Sequence, residues 1–405
     1  MQTPFLAAFS CAVVLASSAS AQSLTEGWEF DGRAQLVVAV STVDEVERLP
    51  ARNVLGEVGL RATAEKTLQN SAEIGFRFEA KAQQDNPARA GFTGNIDPFG
   101  SEPDSAQVRG AYSGLTRSGL LEDASLTGSI ETAQFYIDGG YGQISVGYGR
   151  GVAARFHEGA PDIFTHVRAA NPKLDPGGLN FVRTENDLTG PAPKLTYQTP
   201  RLLGVRAGVS FTPDANVAGV DRDPRRSTPG VVSPEIENVW EGSVQASRKL
   251  TEQNLRIRAS VSYSQGEVSL SDSAPVDFES QIEDVSVWTI GSELEFETFS
   301  IGAEYLSSDN GIRDDGDYSA WSIGATTEAF DWDWGVRYGE SEDENVQAEN
   351  ANWSIGAAKN ISENARLAIG YHSSDADFAP IPLSNPQTDT VSGPDGLVVE
   401  ITLSL

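Results

Sequence analysis

The side chains able to do chemistry in this chain are acids and bases set at alternate positions. Glu73, Arg77, Glu79 and Lys81 share a face with Gly75, while Ala72, Ile74, Phe76, Phe78, Ala80 and Ala82 fall between them. In an extended strand that spacing puts all the charges on one side and all the apolar groups on the other. A charged face of this kind can hold ions and orient polar solutes, but it pairs no nucleophile with a general base. Catalysis has little else to stand on. The histidines are three, His157, His166 and His372, with no nucleophile–base arrangement and no Gly-x-Ser-x-Gly elbow. His157 and His166 are close enough in sequence to approach each other, yet a metal site needs more ligands, and hydrated loop histidines are the simpler reading. Gly147-Tyr-Gly-Arg-Gly151 lacks the following helix and acidic partner of a nucleotide site. Asp309, Asn310, Asp314, Asp315 and Asp317 are oxygen-rich but miss the EF-hand spacing and its closing Glu. No enzyme is expected.

The elements that must carry these charges are strands. From Gln22 onward the chain breaks into about sixteen period-two segments of roughly 8–12 residues, the length of a tilted membrane strand. Phe30, Ala34, Leu36, Val38 and Val40 oppose Glu29, Asp31, Arg33 and Gln35; Leu255, Ile257, Ala259, Val261 and Tyr263 oppose Arg256, Arg258, Ser260 and Ser262. Trp332, Trp334, Val336 and Tyr338 oppose Asp333, Gly335 and Arg337, and Leu397 to Leu405 alternate to the last residue. A soluble sandwich also alternates. The connections separate the two: short links such as Lys66–Asn70, Glu297–Thr298 and Glu328–Asp331 take turns with long polar ones such as Gln84–Asp123, Arg150–Ala192 and Gly339–Asn350. Short turns at one end and long loops at the other mark an outer-membrane barrel. Trp240, Trp288, Trp321, Trp332 and Trp353 sit near strand ends on the apolar face, as girdle residues do. The expectation is an all-β fold, a sixteen-stranded antiparallel transmembrane β-barrel, whose polar interior is too wide for side chains to fill and so holds water.

Composition agrees. Residues 1–21 read as a secretory signal, with an apolar stretch from Phe5 to Leu15 and Ala19-Ser20-Ala21 before Gln22. That leaves 22–405 as the barrel. Cys11, the single cysteine, lies in the signal, so the exported part carries no thiol. Mean hydropathy is −0.29, and the formal net charge of −29 repels nucleic acid and attracts cations. The same acidity would suit a saline habitat. Glu340, Glu342, Asp343 and Glu344 read as a solvated acidic loop. With Asp309–Asp317 they could instead gather surface Ca2+ or Mg2+ and bridge to lipopolysaccharide phosphates; no other cofactor is expected.

Glu131 to Arg150, with Gln143-Ile-Ser-Val-Gly-Tyr-Gly-Arg150 at its end, resembles strands four and five of the Gram-negative general porins, closest in style to those of alphaproteobacteria. Phe156-His-Glu-Gly-Ala-Pro-Asp-Ile-Phe164 stands where that family's third loop folds back into the lumen, and Pro193–Pro213 resembles its next hairpin. Two departures stand out: Leu405 replaces the family's terminal aromatic residue, and the loop between strands three and four is long. The resemblance implies a homotrimer in the outer membrane, and a long third loop whose acids face a basic wall across an eyelet. By inward parity the wall candidates are Arg33, Arg61, Arg77 and Lys81. The loop candidates are Glu158, Asp162, Asp175, Glu185 and Asp187. The function so implied is passive passage of ions and small hydrophilic solutes, with cations preferred because of the net charge. A substrate-specific channel and a surface all-β binding protein are the competing readings.

Overall fold

The computed structural model describes residues 27–43, 52–86, 89–97, 107–119, 126–216, 219–223, 230–270, 278–379, 389–392 and 395–405. The signal segment and Cys11 lie outside them. Among the described residues sixteen long strands form one antiparallel sheet: β1 (Glu29–Ser41), β2 (Val54–Thr67), β3 (Glu73–Gln84), β4 (Thr127–Gly139), β5 (Gly142–Gly149), β6 (Ala192–Gln198), β7 (Val205–Asp214) and β8 (Glu235–Leu250). The second half comprises β9 (Leu255–Ser269), β10 (Val285–Glu295), β11 (Phe299–Ser308), β12 (Tyr318–Ala329), β13 (Trp332–Asp343), β14 (Ala348–Ser362), β15 (Ala365–Phe378) and β16 (Gly396–Ser404). Each pairs with its chain neighbour, and β16 pairs with β1, so the sheet closes and has no free edge. Leu405 seals the seam: its N–H donates to the Ala34 carbonyl at 2.8 Å and its carbonyl accepts from the Ala34 N–H at 3.0 Å.

The alternation read from sequence is the alternation of faces. Phe135, Ile137, Ile144, Val146, Ile290, Ile323, Val336 and Ile355 are exposed on the outside, while Ser260, Ser262, Ser264, Glu304, Arg337 and Glu400 are buried inside. Outward aromatic rings meet across neighbouring strands near the long-loop end: Trp288–Tyr305 at 5.1 Å, Trp321–Tyr338 at 5.5 Å and Trp353–Tyr371 at 5.4 Å. Trp334, Phe299 and Phe330 stand outward near the opposite rim. These two aromatic levels bracket an apolar band of the kind a bilayer requires.

The loops depart from the sequence reading most where β13 ends. Glu340, Glu342 and Asp343 belong to β13, which runs past the girdle and joins β14 through Glu344–Gln347 alone. Glu342 lies directly opposite Glu349, and Glu349 opposite Asp377, on the outward face above the aromatic level. Strand pairing continues beyond the bilayer because nothing there forbids polar outward residues, so a run that reads as a loop by its charge is strand. Asp309 likewise is a turn residue, accepting from the Ser286 N–H at 2.9 Å and the Gly311 N–H at 3.0 Å.

Candidate functional site

The 42 residues between β5 and β6, numbers 150–191, do not project outward. They begin with one short helical turn, α1 (Val152–Arg155), and then run as an extended belt along the inner wall. The Val152 N–H donates to Ser210 Oγ on β7 at 2.9 Å, and the Glu158 N–H to Ser260 Oγ on β9 at 2.9 Å. Arg337 on β13 donates to the Ala160 carbonyl at 2.9 Å. Glu400 on β16 accepts from three successive backbone N–H groups, Thr165 at 3.1 Å, His166 at 2.9 Å and Val167 at 3.0 Å, and from Thr165 Oγ1 at 2.6 Å. From Glu158 to Val167 an extended chain covers about 30 Å, close to the roughly 34 Å of the seven inter-strand steps from β9 to β16. Geometry therefore explains why this stretch has no helix: a helix would be too short to reach.

Inward glycines make the close approach possible. A Cβ on Gly291 or Gly324 would overlap the carbonyl oxygens of Glu158 and Pro161; on Gly302 it would lie 2.7 Å from the Gly159 oxygen. On Gly335 and Gly356 it would meet Ile163 at 2.6 and 2.9 Å, and on Gly370 it would meet Phe164 at 3.0 Å. Gly302 is opposite Gly324, and Gly335, Gly356 and Gly370 form one row. Beyond them Ile163, Phe164, Val167 and Leu174 pack on inward Val37, Ala39, Leu55, Ala358, Ala368 and Val398. The wall there is apolar where it meets the belt, in contrast to the uniformly polar interior that alternation suggests.

Wall carboxylates pin the belt. Glu304 on β11 receives Arg337, Ser322 Oγ and Thr184 Oγ1 (2.6 Å each for the hydroxyls), and its other oxygen lies 2.7 Å from His157 Nε2. His166 Nε2 lies 3.4 Å from Glu57 on β2 and its Nδ1 lies 3.7 Å from Glu400. The two histidines are thus buried against different strands rather than hydrated or paired with each other. Burial opposes their protonation, but the adjacent carboxylates outweigh it and raise both above the ordinary imidazole range.

The sequence-selected residues end in quite different surroundings. Arg33 and Arg61 point inward near the short-turn end and stay open to solvent, 71% and 59% exposed, beside Asp31 at 3.1 Å and Glu79 at 2.5 Å. Arg77 lies 4.3 Å over the Tyr136 ring, and Tyr136 in turn donates to Glu65 and, at 3.1 Å, to Glu73. Glu158 accepts from Gln245 Nε2 at 2.6 Å on the belt's lumenal stretch. Lys81 lies deeper, 3.7 Å from Asp221 and 3.8 Å from Glu57. Asp162 is buried 3.8 Å from Arg337, and Asp175 is buried in its own turn, accepting from the Gly177 and Asn180 N–H groups at 3.0 and 2.9 Å. Glu185 pairs with Arg150 at 3.2 Å and Asp187 with Arg183 at 2.6 Å. Burial would raise the Asp187 carboxyl, yet Arg183 beside it holds it below the ordinary range.

Sequence reading passed over Arg150, Asp221, Glu304, Arg337 and Glu400 as site residues. Arg150 joins Glu185 and Asp221 (3.3 Å), tying the belt's start and its later part to the following loop. The available signal was an acid at an inward mid-strand position, Glu304 or Glu400, which water alone would not require.

The sequence profile of the Gram-negative porins matches residues 7–379. Solved structures of the same fold include an anion-selective porin from Comamonas acidovorans, 12% identical over 93% of this chain and 100% of that one, with a TM-score of 0.54. OmpF of Salmonella typhi in complex with daunomycin is 13% identical over 94% of this chain and 98% of that one, with a TM-score of 0.58. OmpT of Vibrio cholerae in its trimer form is 11% identical over 94% and 100%, with a TM-score of 0.55. No curated protein sequence matches the chain. A closed sixteen-stranded barrel with an apolar outer band, together with a family match over most of its length, makes this an outer-membrane channel for passive diffusion and a member of the Gram-negative porin family.

Proposed function

We propose that the channel passes ions and small hydrophilic solutes between the belt and the short-turn half of β1–β3, below the belt's contacts at Val37, Leu55 and Glu57, and that it prefers cations. The observation that carries this reading is the solvent exposure of Arg61 on β2 and the position of Arg77 on β3, both nearer the short-turn end than the belt's contacts with those strands, with Glu158 on the belt itself. Opposed charges across a narrow passage make a transverse field that orders water and orients polar solutes. The preference for cations rests on the net charge of −29; the exposed arginines act against it locally. The anion-selective porin of Comamonas acidovorans has the same fold, so surface charge rather than architecture decides the sign. The trimer form of the Vibrio cholerae protein supports a homotrimer here. Divalent cations at the outward acidic row of Glu342, Glu349 and Asp377, bridging to lipopolysaccharide phosphates, complete the reading.

The test is planar-bilayer conductance of detergent-purified protein in a salt gradient. Stepwise insertion in threes and a reversal potential of cation sign are expected. A reversal potential of anion sign would overturn the selectivity, and silence from demonstrably folded protein would overturn the open channel.

A further inference from the structure

We infer that the long-loop mouth contains a binding chamber for a small zwitterion, an α-amino acid the size of glycine or alanine, held by Arg222 and Asp187. The inference adds a site to the channel reading and rests on it only for how the solute arrives. The chamber forms where four segments meet: residues 109–114 from the loop after β3, the end of the belt at 187–191, the β7–β8 loop, and the wall at Glu131 and Arg150. Its roof is tied down. The Gln107 and Arg109 N–H groups donate to the Gly230 and Val232 carbonyls at 2.9 and 3.0 Å. The Arg109 side chain donates to the Thr93 and Gly114 carbonyls, each at 2.8 Å.

Size and charge select the ligand. The cavity is about 70 Å3, and at about 10–15 Å3 for each water-sized group it holds roughly five to seven of them, the heavy-atom count of the smallest amino acids. Three cations line it, Arg109, Arg150 and Arg222, against three carboxylates, Glu131, Asp187 and Asp221. Two groups bound to these, Arg183 and Glu185, add one charge of each sign. Burial would raise the Asp221 carboxyl, yet Lys81, Lys173 and Arg150 hold it well below the ordinary range. A lone anion or cation entering this balanced space arrives uncompensated and loses its hydration. A zwitterion brings both signs and leaves the balance intact.

One pair is open to such a partner. Arg150 is engaged by Glu185 at 3.2 Å, Asp221 at 3.3 Å and Glu131 at 3.9 Å. Arg222 and Asp187 stand 3.7 Å apart, too far for a hydrogen bond. Arg222 Nη2 and Asp187 Oδ1 have no hydrogen-bond partner among the described residues, while the other Asp187 oxygen receives Arg183 at 2.6 Å. A ligand carboxylate on Arg222 and its ammonium on Asp187 complete both groups, because an α-amino acid carries the two on one carbon. The two side chains are 14% and 13% exposed, so solution reaches them.

Saturation-transfer NMR of glycine titrated into the detergent-purified protein tests this without any conductance measurement. Saturable binding with a dissociation constant on the order of 1 mM is expected, with acetate and methylammonium competing at least tenfold less well. Arg222→Gln should weaken glycine binding tenfold or more. Gly219→Val is a second variant that removes no charge. A Cβ there meets nothing nearer than Glu131 Oε1 at 3.7 Å, so the backbone accepts it and the side chain takes up chamber space. It too should lose tenfold. Heat-shifted gel mobility shows that each variant is folded. Equal competition by acetate would make this an anion site, equal competition by methylammonium a cation site, and no saturable glycine signal would leave the chamber to water; each overturns the proposal. Wild-type binding in either folded variant would overturn the location. A protein that binds glycine but does not conduct would remove the channel reading and leave the site standing.

Discussion

Arg337 and Glu304 have the most to lose from a single substitution. Both are almost wholly buried, and Glu304 also takes His157, Thr184 and Ser322. Removing the cation leaves a carboxylate in a site with little water, so Arg337→Met should cost about 3–5 kcal/mol. The check is a lower urea midpoint for tryptophan fluorescence in lipid vesicles. The histidines allow a second prediction. Each has its affinity for the proton raised in the folded state above the ordinary 6.5. Their contribution is therefore complete below about pH 6.5 and is lost as pH rises through the higher folded values. Open-channel noise should be low at pH 6 and grow toward pH 9, with the growth reduced in a His157→Gln, His166→Gln double variant. Parity placed Arg337 inward from sequence alone. Its partner, 33 residues earlier, could not be read, because two inward residues on different strands meet only through register and through the loop between them.

Strands were the most legible part of the molecule. Val336 faces out between Trp334 and Tyr338, within the apolar band, and is 48% exposed. A charge there has to sit in hydrocarbon: Val336→Arg should cost about 2–4 kcal/mol, against about 0–1 for the same change near the interface. Glu342→Arg, above the girdle on the same face of β13, is the matching interface variant, and vesicle refolding titrations would compare the two. The same strand shows where composition misleads. Glu340 accepts from Trp321 Nε1 at 3.1 Å and from Tyr338, so it anchors the girdle instead of lying in a loop. Charge density suggested solvent, and it was right about solvent; it said nothing about backbone pairing, which continues wherever neighbouring strands are long enough.

At the scale of the whole molecule, electrostatics is a sum over many exposed groups and one narrow passage. Screening acts on the first far more than on the second. The Debye length falls from ~10 Å at 0.1 M to ~3 Å at 1 M salt, so the proposed cation preference should shrink markedly over that range. Reversal potentials at a fixed concentration ratio would measure it, and a preference unchanged by salt would place its origin at the passage instead of in the net charge. The sequence by itself determined the barrel, its inner and outer faces, its two girdles and its strand closure. Each of these follows from a period-two pattern and from the rule that no backbone group is left unpaired in a bilayer. The resemblance implied that this loop turns into the lumen; only the tertiary structure decided which strands the belt lies against and which groups hold it. Residues 150–191 carry no period to read, and their positions follow from contacts with strands up to about 240 residues away in the chain. Glycines that look like strand weaknesses become room for a backbone, and acids that look like pore lining become pins, once the wall has closed around the loop.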